Sequence, residues 1–239
     1  MSKIIGSPLY APTPAGGGQT AGSLAVGSSV FTNVNGTKTE FIVVHQGKPS
    51  SALYDGSCDG TWLLAKDIHA RHVWNSTLSN QYANSDINTW LNNDFLTKFD
   101  SDVKNIIAQV KIPYGAGDKT STVYSGSNGL SVKIFLLGGY EVGWTTSDSS
   151  NFVVDGTKLD YFESGTGTAA NDRRVAQFDG GNAFWWTRTP VRTNDQVAFY
   201  VSSNGSIGQN NYVVANSGIR PAFIIPSITN ITKGGLIKP

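Results

Sequence analysis

Apolar residues in this chain come in bursts of three to five, each closed off within a few positions by Gly, Asn, Ser, Lys or Pro. Phe41-Ile42-Val43-Val44, Thr61-Trp62-Leu63-Leu64, Val197-Ala198-Phe199-Tyr200-Val201 and Phe223-Ile224-Ile225 are examples. Runs of that length suit buried strands and fall far below the roughly 18 apolar residues of a membrane span. Apolar residues at helical spacing stand out over residues 85–113. There Ile87, Trp90, Leu91, Phe95 and Phe99 recur at three and four, and Ser85 stands where an N-cap belongs. Asp100 caps a second predicted helix with Val103, Ile106, Ile107 and Val110 on its apolar face, ended by Pro113.

Asn35-Gly36, between Ser29-Val30-Phe31 and Glu40-Phe41-Ile42-Val43-Val44, is the strongest two-residue hairpin signal in the chain. Residues 133–137, 183–186, 197–201 and 220–225 read as further strands separated by Gly- and Asn-rich turns. A few strands, two helices and an irregular antiparallel second half predict an α+β fold in one domain. No period of 20 to 50 residues is present, which argues against a solenoid or propeller.

Residues 1–25 differ from the rest. Ser7-Pro8-Leu9-Tyr10-Ala11-Pro12-Thr13-Pro14-Ala15-Gly16-Gly17-Gly18 joins stiff proline positions to a flexible glycine run, and Lys3 is the only charged residue before Lys38. This reads as an extended arm that docks on a partner or a second copy, followed by a single domain over 26–239. The prolines interrupt any apolar stretch long enough for a secretory signal, so synthesis in the cytoplasm without a signal peptide is expected.

Charge excludes two partner classes. Lys+Arg 18 against Asp+Glu 17 gives +1, so no net field draws the chain to nucleic acid or into an anionic membrane surface. A single cysteine, Cys58, excludes an internal disulfide framework and any cysteine-rich metal site. Gly115-Ala116-Gly117-Asp118-Lys119-Thr120 is no phosphate loop, because Asp118 occupies the place of the glycine before the lysine. His69 and His72 lie in a stretch, 66–74, that reads as helical. With His45 the only other histidine, they read as surface residues rather than metal ligands. No glycosidase carboxylate pair and no Gly-x-Ser-x-Gly elbow is recognisable, so neither catalysis nor a cofactor nor a metal site is expected.

The sharpest local pattern is Trp185-Trp186-Thr187-Arg188-Thr189-Pro190, followed by Gly218-Ile219-Arg220-Pro221-Ala222. The segment between is rich in Asn, Ser, Thr, Gln and Tyr, residues that build adaptable contact surfaces at low entropic cost. With Cys58-Asp59-Gly60-Thr61-Trp62-Leu63-Leu64, Tyr82-Ala83-Asn84-Ser85 and Gly138-Gly139-Tyr140-Glu141-Val142-Gly143, this pattern resembles a domain of unknown function common in gut bacteria and their phages. That domain is similar to the C-type lectin-like fold of variable proteins targeted by diversity-generating retroelements. The resemblance covers about residues 26–227.

It implies a C-type lectin-like domain with two helices, short antiparallel strands and long loops. It also implies a binding protein of a phage particle (tail fibre, baseplate or capsid) that attaches to a bacterial surface protein or glycan. Other virion proteins and a second copy of the chain are the implied assembly partners. A purely structural decoration protein without a ligand is the alternative, and a surface hydrolase ranks third. Trp185, Trp186, Arg188, Gly218, Arg220 and Pro221 match the scaffold. The ligand-binding positions implied are Thr187, Arg192, Thr193, Asn194, Asp195, Gln196, Tyr200, Ser206, Gln209, Asn210, Asn211, Tyr212 and Asn216. Residues 192–196 and 209–212 are expected as exposed loops on one side. The calcium motif of sugar-binding animal lectins and the paired active-site cysteines of formylglycine-generating enzymes are missing.

Overall fold

Two five-stranded sheets carry the core of the computed structural model, which describes residues 18–239. The first sheet runs in the order Ile134–Phe135, Ala222–Ile225, Thr61–Ala65, Thr37–Gln46, Ser29–Val34, antiparallel throughout. Its outer hairpin turns at Asn35 (φ 52) and Gly36 (φ 73). Two consecutive left-handed residues match the right-handed twist of the flanking strands, which is why Asn-Gly is favoured there. The second sheet runs Ile207–Tyr212, Val197–Val201, Trp185–Pro190, Asn216–Ile219, Ala70–Val73. Its one parallel pair joins Trp185 to Gly218.

Two short crossings between the sheets, at residues 66–69 and at Arg220-Pro221, are bonded together. Ala65 donates its amide to Pro221 O at 2.9 Å, His69 donates to Ile219 O at 2.9 Å, and Arg220 Nε donates to Ala65 O at 2.7 Å. Gly218 has no room for a side chain, since a Cβ would stand 2.6 Å from Phe184 O and 2.7 Å from the Ile68 side chain. The Gly-Ile-Arg-Pro-Ala motif is thus the seam between the sheets.

The helical segment begins where its spacing predicts. Ser85 Oγ accepts from Asn88 N at 3.3 Å. An α-helical turn, Asp86–Trp90, passes into a π turn, Leu91–Phe95, and a 3-10 turn, Leu96–Lys98. Ile87, Leu91 and Phe95 are buried, and a chain of edge contacts from Phe95 through Phe99 and Phe223 to Phe41 seats the segment on the first sheet. Asn92 Nδ2 donates to Ile134 O at 2.9 Å while its Oδ1 accepts from Lys133 N and Ile134 N, covering the edge of that sheet.

The expected α+β, C-type lectin-like fold with two helices is corrected by this architecture. Among the described residues the chain forms 19 strands in six sheets, and helical turns come in pieces of three to six residues. The second predicted helix is only Ser101–Ile106, well short of Pro113. Val110 belongs instead to the strand Val110–Ile112, paired with Leu130–Val132. Asp100 accepts from Asn33 Nδ2 at 2.9 Å and makes no side-chain cap. The stretch 66–74, read as helical, contains the strand Ala70–Val73. His69 packs edge-on against Phe95 and His72 against Trp90, so neither is a free surface residue. Many of the added strands are two or three residues long, too short to carry a period-2 signature.

The arm boundary also moves. Gln19–Thr20 pairs with Asn230–Ile231, and Ala21 and Leu24 are buried, so residues 18–25 are part of the folded body. Residues 1–17, the rest of the expected arm, lie outside the described residues. No helix among the described residues is long and apolar enough to cross a membrane.

Candidate ligand-binding face

Every residue of the strand Trp185–Pro190 is buried. Trp185 Nε1 donates to Arg174 O at 2.9 Å, and the Arg220 guanidinium lies 5.2 Å over the Trp185 ring. Trp186 Nε1 donates to His72 O at 3.3 Å. Arg188 uses all five of its N–H donors: Nε to Pro113 O, Nη1 to Leu136 O and Glu141 Oε2, Nη2 to Glu141 Oε1 and Asp155 O, at 2.6 to 2.9 Å. Glu141 also accepts from Tyr54 Oη at 2.7 Å and Gly138 N at 3.0 Å. Thr189 Oγ1 donates to Asp155 Oδ2 at 2.7 Å.

Burial works against the Arg188 charge, but the bidentate Glu141 carboxylate more than offsets it and holds the guanidinium above its usual range. Burial raises Asp155 to about 6 despite Arg188 and Thr189, and its Oδ1 has no partner among the described residues. Burial and the Glu141 charge likewise raise the Tyr54 phenol. Arg188, Glu141, Asp155 and Tyr54 therefore form a closed internal network with 0% to 3% of their surface exposed, out of reach of a ligand. This network gives Gly138-Gly139-Tyr140-Glu141 its role, since a Cβ on Gly139 would meet the Phe152 ring at 2.5 Å. Cys58 is buried, its thiol pushed up to about 11 mainly by burial, with Asp55 adding to the shift.

Over this scaffold the polar segment 192–216 divides. Thr187, expected to meet ligand, is fully buried, and its hydroxyl donates to Phe199 O at 2.8 Å. Residues 209–212, expected as a loop, form most of the edge strand Ile207–Tyr212. Successive side chains on a strand point to opposite faces. Tyr200 packs its ring on Gly208 and donates to Asn210 Oδ1 at 2.7 Å, beside exposed Phe184. Gln209, on the other face, accepts from Ser149 Oγ and Asn151 Nδ2. Asn151 in turn takes the Thr193 hydroxyl at 3.1 Å, so Arg192, Thr193 and Gln209 form one exposed cluster.

Asn194, Asp195 and Gln196 are half-buried in the adjoining turn, where Asn194 Oδ1 accepts from Gln196 N at 3.0 Å. Asn211 donates to Ser217 Oγ, Ser206 contacts Ser202, and Tyr212 and Asn216 are exposed at the far end. The expected residues thus do not gather on a single side: Gln209 and Asn210 stand on opposite faces of one edge strand, which Asn211 and Tyr212 continue, and the others lie in turns, in neighbouring strands or in the core.

A cleft of about 400 Å³ adjoins the 192–196 turn and was not legible in the sequence. Gln81, Asn84, Tyr114, Asp118, Thr122 and Tyr124 line it. Its walls come from two separate loops without periodicity, and only the Asn, Gln, Thr and Tyr content of residues 80–84 and 114–124 hinted at it. Asn80, fully buried, ties the loops together. Its Nδ2 donates to Val191 O, Asn194 O and Val197 O, while its Oδ1 accepts from Asp118 N at 2.9 Å. Among the described residues no group of three or more His, Cys, Asp or Glu could hold a metal ion.

The sequence model of a domain of unknown function, DUF6273, matches residues 59–227. The chain belongs to this family. The DUF6273 segment holds the whole second sheet, the two short crossings at 66–69 and Arg220-Pro221, the Arg188–Glu141 pair and the cleft. It leaves out the outer hairpin Ser29–Val34 and Thr37–Gln46 and the terminal three-stranded sheet. No curated protein and no solved structure matches the chain.

Proposed function

We propose that this protein is a structural component of a phage particle that binds a bacterial surface protein or glycan, and that it is not an enzyme. The observation that carries the reading is the contrast within one sheet. A strand buried at every position, Trp185–Pro190, supports, across Val197–Val201, an edge strand rich in exposed Asn, Gln and Tyr. Such a surface tolerates change in its contact residues because its stability comes from the layer beneath. The near-neutral charge and the resemblance to phage and gut-bacterial domains support the placement on a particle outside the cell. Other virion proteins and a second copy of the chain are its proposed assembly partners.

The test replaces Arg192, Thr193, Gln209 and Asn210 together by Ala in assembled particles. Stability changes by no more than about 0.5 kcal/mol per site, as at ordinary surface positions. Adsorption to the propagating bacterium is lost. Normal adsorption by these particles removes the face as the attachment site. A second reading, a decoration protein that binds only its neighbours, draws on the open hydrogen-bonding edge of Ile207–Tyr212 with exposed Tyr212 and Val214 beside it. Burial of that edge between subunits in a map of the intact particle is its signature.

A further inference from the structure

The cleft beside the 192–196 turn has a composition that selects one kind of ligand. Tyr114 and Tyr124 face each other across a two-stranded ribbon, their rings 5.3 Å apart at 29°, and Tyr124 keeps 44% of its surface exposed. An exposed aromatic face takes an apolar C–H surface while its hydroxyl stays wet. Around this wall stand the amides of Gln81 and Asn84 and the hydroxyl of Thr122. Each of these side chains both donates and accepts, so each can meet a ligand group that also does both.

Charge narrows the ligand further. Among the described residues lining the cleft, Asp118 is the only charged one. Its neighbour Lys119 is engaged elsewhere, with Nζ 3.0 Å from Asp195 Oδ2. A phosphate, sulfate or carboxylate would meet the Asp118 carboxylate with no cation to balance it. Hydroxyl groups, by contrast, can donate to that carboxylate in charge-assisted bonds.

The rim is also rigid. Gly117 (φ 76), Asp118 (φ 55) and Lys119 (φ 58) are three successive residues in the left-handed region, held by the Asn80 bond to Asp118 N. A Cβ on Gly117 would stand 2.6 Å from Asn80 O. Residues kept in sparsely populated conformations need a surrounding structure that over-determines them, and a rim already ordered loses little entropy on binding. The volume, about 400 Å³, lies within the range of small-molecule sites.

We propose that this cleft is a saccharide subsite that takes a neutral sugar unit. The ring's C–H face lies on Tyr124, and its hydroxyls are shared among Gln81, Asn84, Thr122 and the Asp118 carboxylate. The inference rests on the binding reading above, whose ligand class it names, and it assigns a second binding position distinct from the edge strand.

The test measures binding of the full chain to immobilised neutral oligosaccharides of hexose and N-acetylhexosamine units, with sulfated and sialylated oligosaccharides alongside. At least one neutral oligosaccharide is retained and displaced by the free sugar. Tyr124→Ala weakens it by about tenfold or more, the loss of a stacked ring, while Tyr124→Phe keeps the ring and most of the affinity. Asp118→Asn, which tolerates the same backbone conformation, weakens it several-fold. Retention of anionic sugars only, no retention of any neutral oligosaccharide, or equal binding by Tyr124→Ala overturns the proposal. Particles with Ala at Arg192, Thr193, Gln209 and Asn210 that still bind sugar but do not adsorb support the cleft as a site separate from the face. Sugar binding lost in Tyr124→Ala with normal adsorption keeps the subsite and removes it from attachment.

Discussion

Asp155 is a carboxylate held where its charge is unwelcome. It is fully buried, its Oδ1 lacks a partner among the described residues, and burial lifts it to about 6 against the pull of Arg188 and Thr189. A folded-state value above the unfolded one means the folded protein binds the proton more tightly. The stabilisation is complete below about pH 4 and is lost as pH rises through about 6, a change of about 3 kcal/mol. His69 acts in the opposite direction within the same window. Burial, with Lys98 adding to it, holds His69 down at about 4, so its contribution is lost as pH falls from about 6.5. The bare pH profile is therefore flattened. The difference between Asp155→Asn and the parent protein isolates the carboxylate. Unfolding free energies from urea titrations at pH 4, 5, 6 and 7 show the variant gaining relative to the parent as pH rises. A difference that stays flat across the series counts against the strained carboxylate.

At the scale of elements, the features legible in the sequence are those with a local cause. Asn35-Gly36 makes its hairpin because both residues accept positive φ, and Val197–Val201 is the strand its apolar run describes. Ser85 caps its helix, and its hydroxyl also donates to the Tyr82 carbonyl at 2.8 Å. The Tyr82 carbonyl keeps its bond from Ser85 N, so Ser85→Ala strips the cap from the part-buried Asn88 amide and costs about 1 kcal/mol, read as a lower urea midpoint at unchanged m. A variant as stable as the parent shows that the cap contributes nothing.

What was not legible depends on distant partners. The Trp-Trp-x-Arg-Thr-Pro motif marked a scaffold, but nothing local shows that Arg188 pairs with Glu141, 47 positions away. Two-residue strands such as Ile134–Phe135 exist only because Ala222 and Phe223 stand opposite them. The pleat of Ile207–Tyr212, which separates Gln209 from Asn210, could not be read from a segment whose polar residues show no alternation. The cleft escaped for the same reason, since its two walls are joined by the bond from Asp118 N to Asn80 Oδ1, 38 positions away.

At the scale of the whole molecule, the body closes on itself without residues 1–17. Gln19–Thr20 is an edge strand against Asn230–Ile231, which also pairs with Ile237–Lys238, so both ends of the described chain meet in one small sheet. Phe31 donates its amide to Gly235 O at 2.8 Å, fastening that sheet to the outer hairpin. Residues 2–17 hold one charge, Lys3, and four large apolar side chains, Ile4, Ile5, Leu9 and Tyr10. Each contributes roughly 1.5 to 3 kcal/mol if it is buried against a partner, and Pro8, Pro12 and Pro14 reduce the entropy lost on docking. Removal of residues 2–17, leaving Gly18 onward, therefore separates folding from assembly. The melting temperature shifts by less than about 2 °C, under about 1 kcal/mol for a chain of this size. Incorporation into particles, or self-association measured by sedimentation, is lost. A truncated chain that assembles at the parent level shows that these residues take no part in docking. One that melts well below the parent shows instead that they belong to the fold.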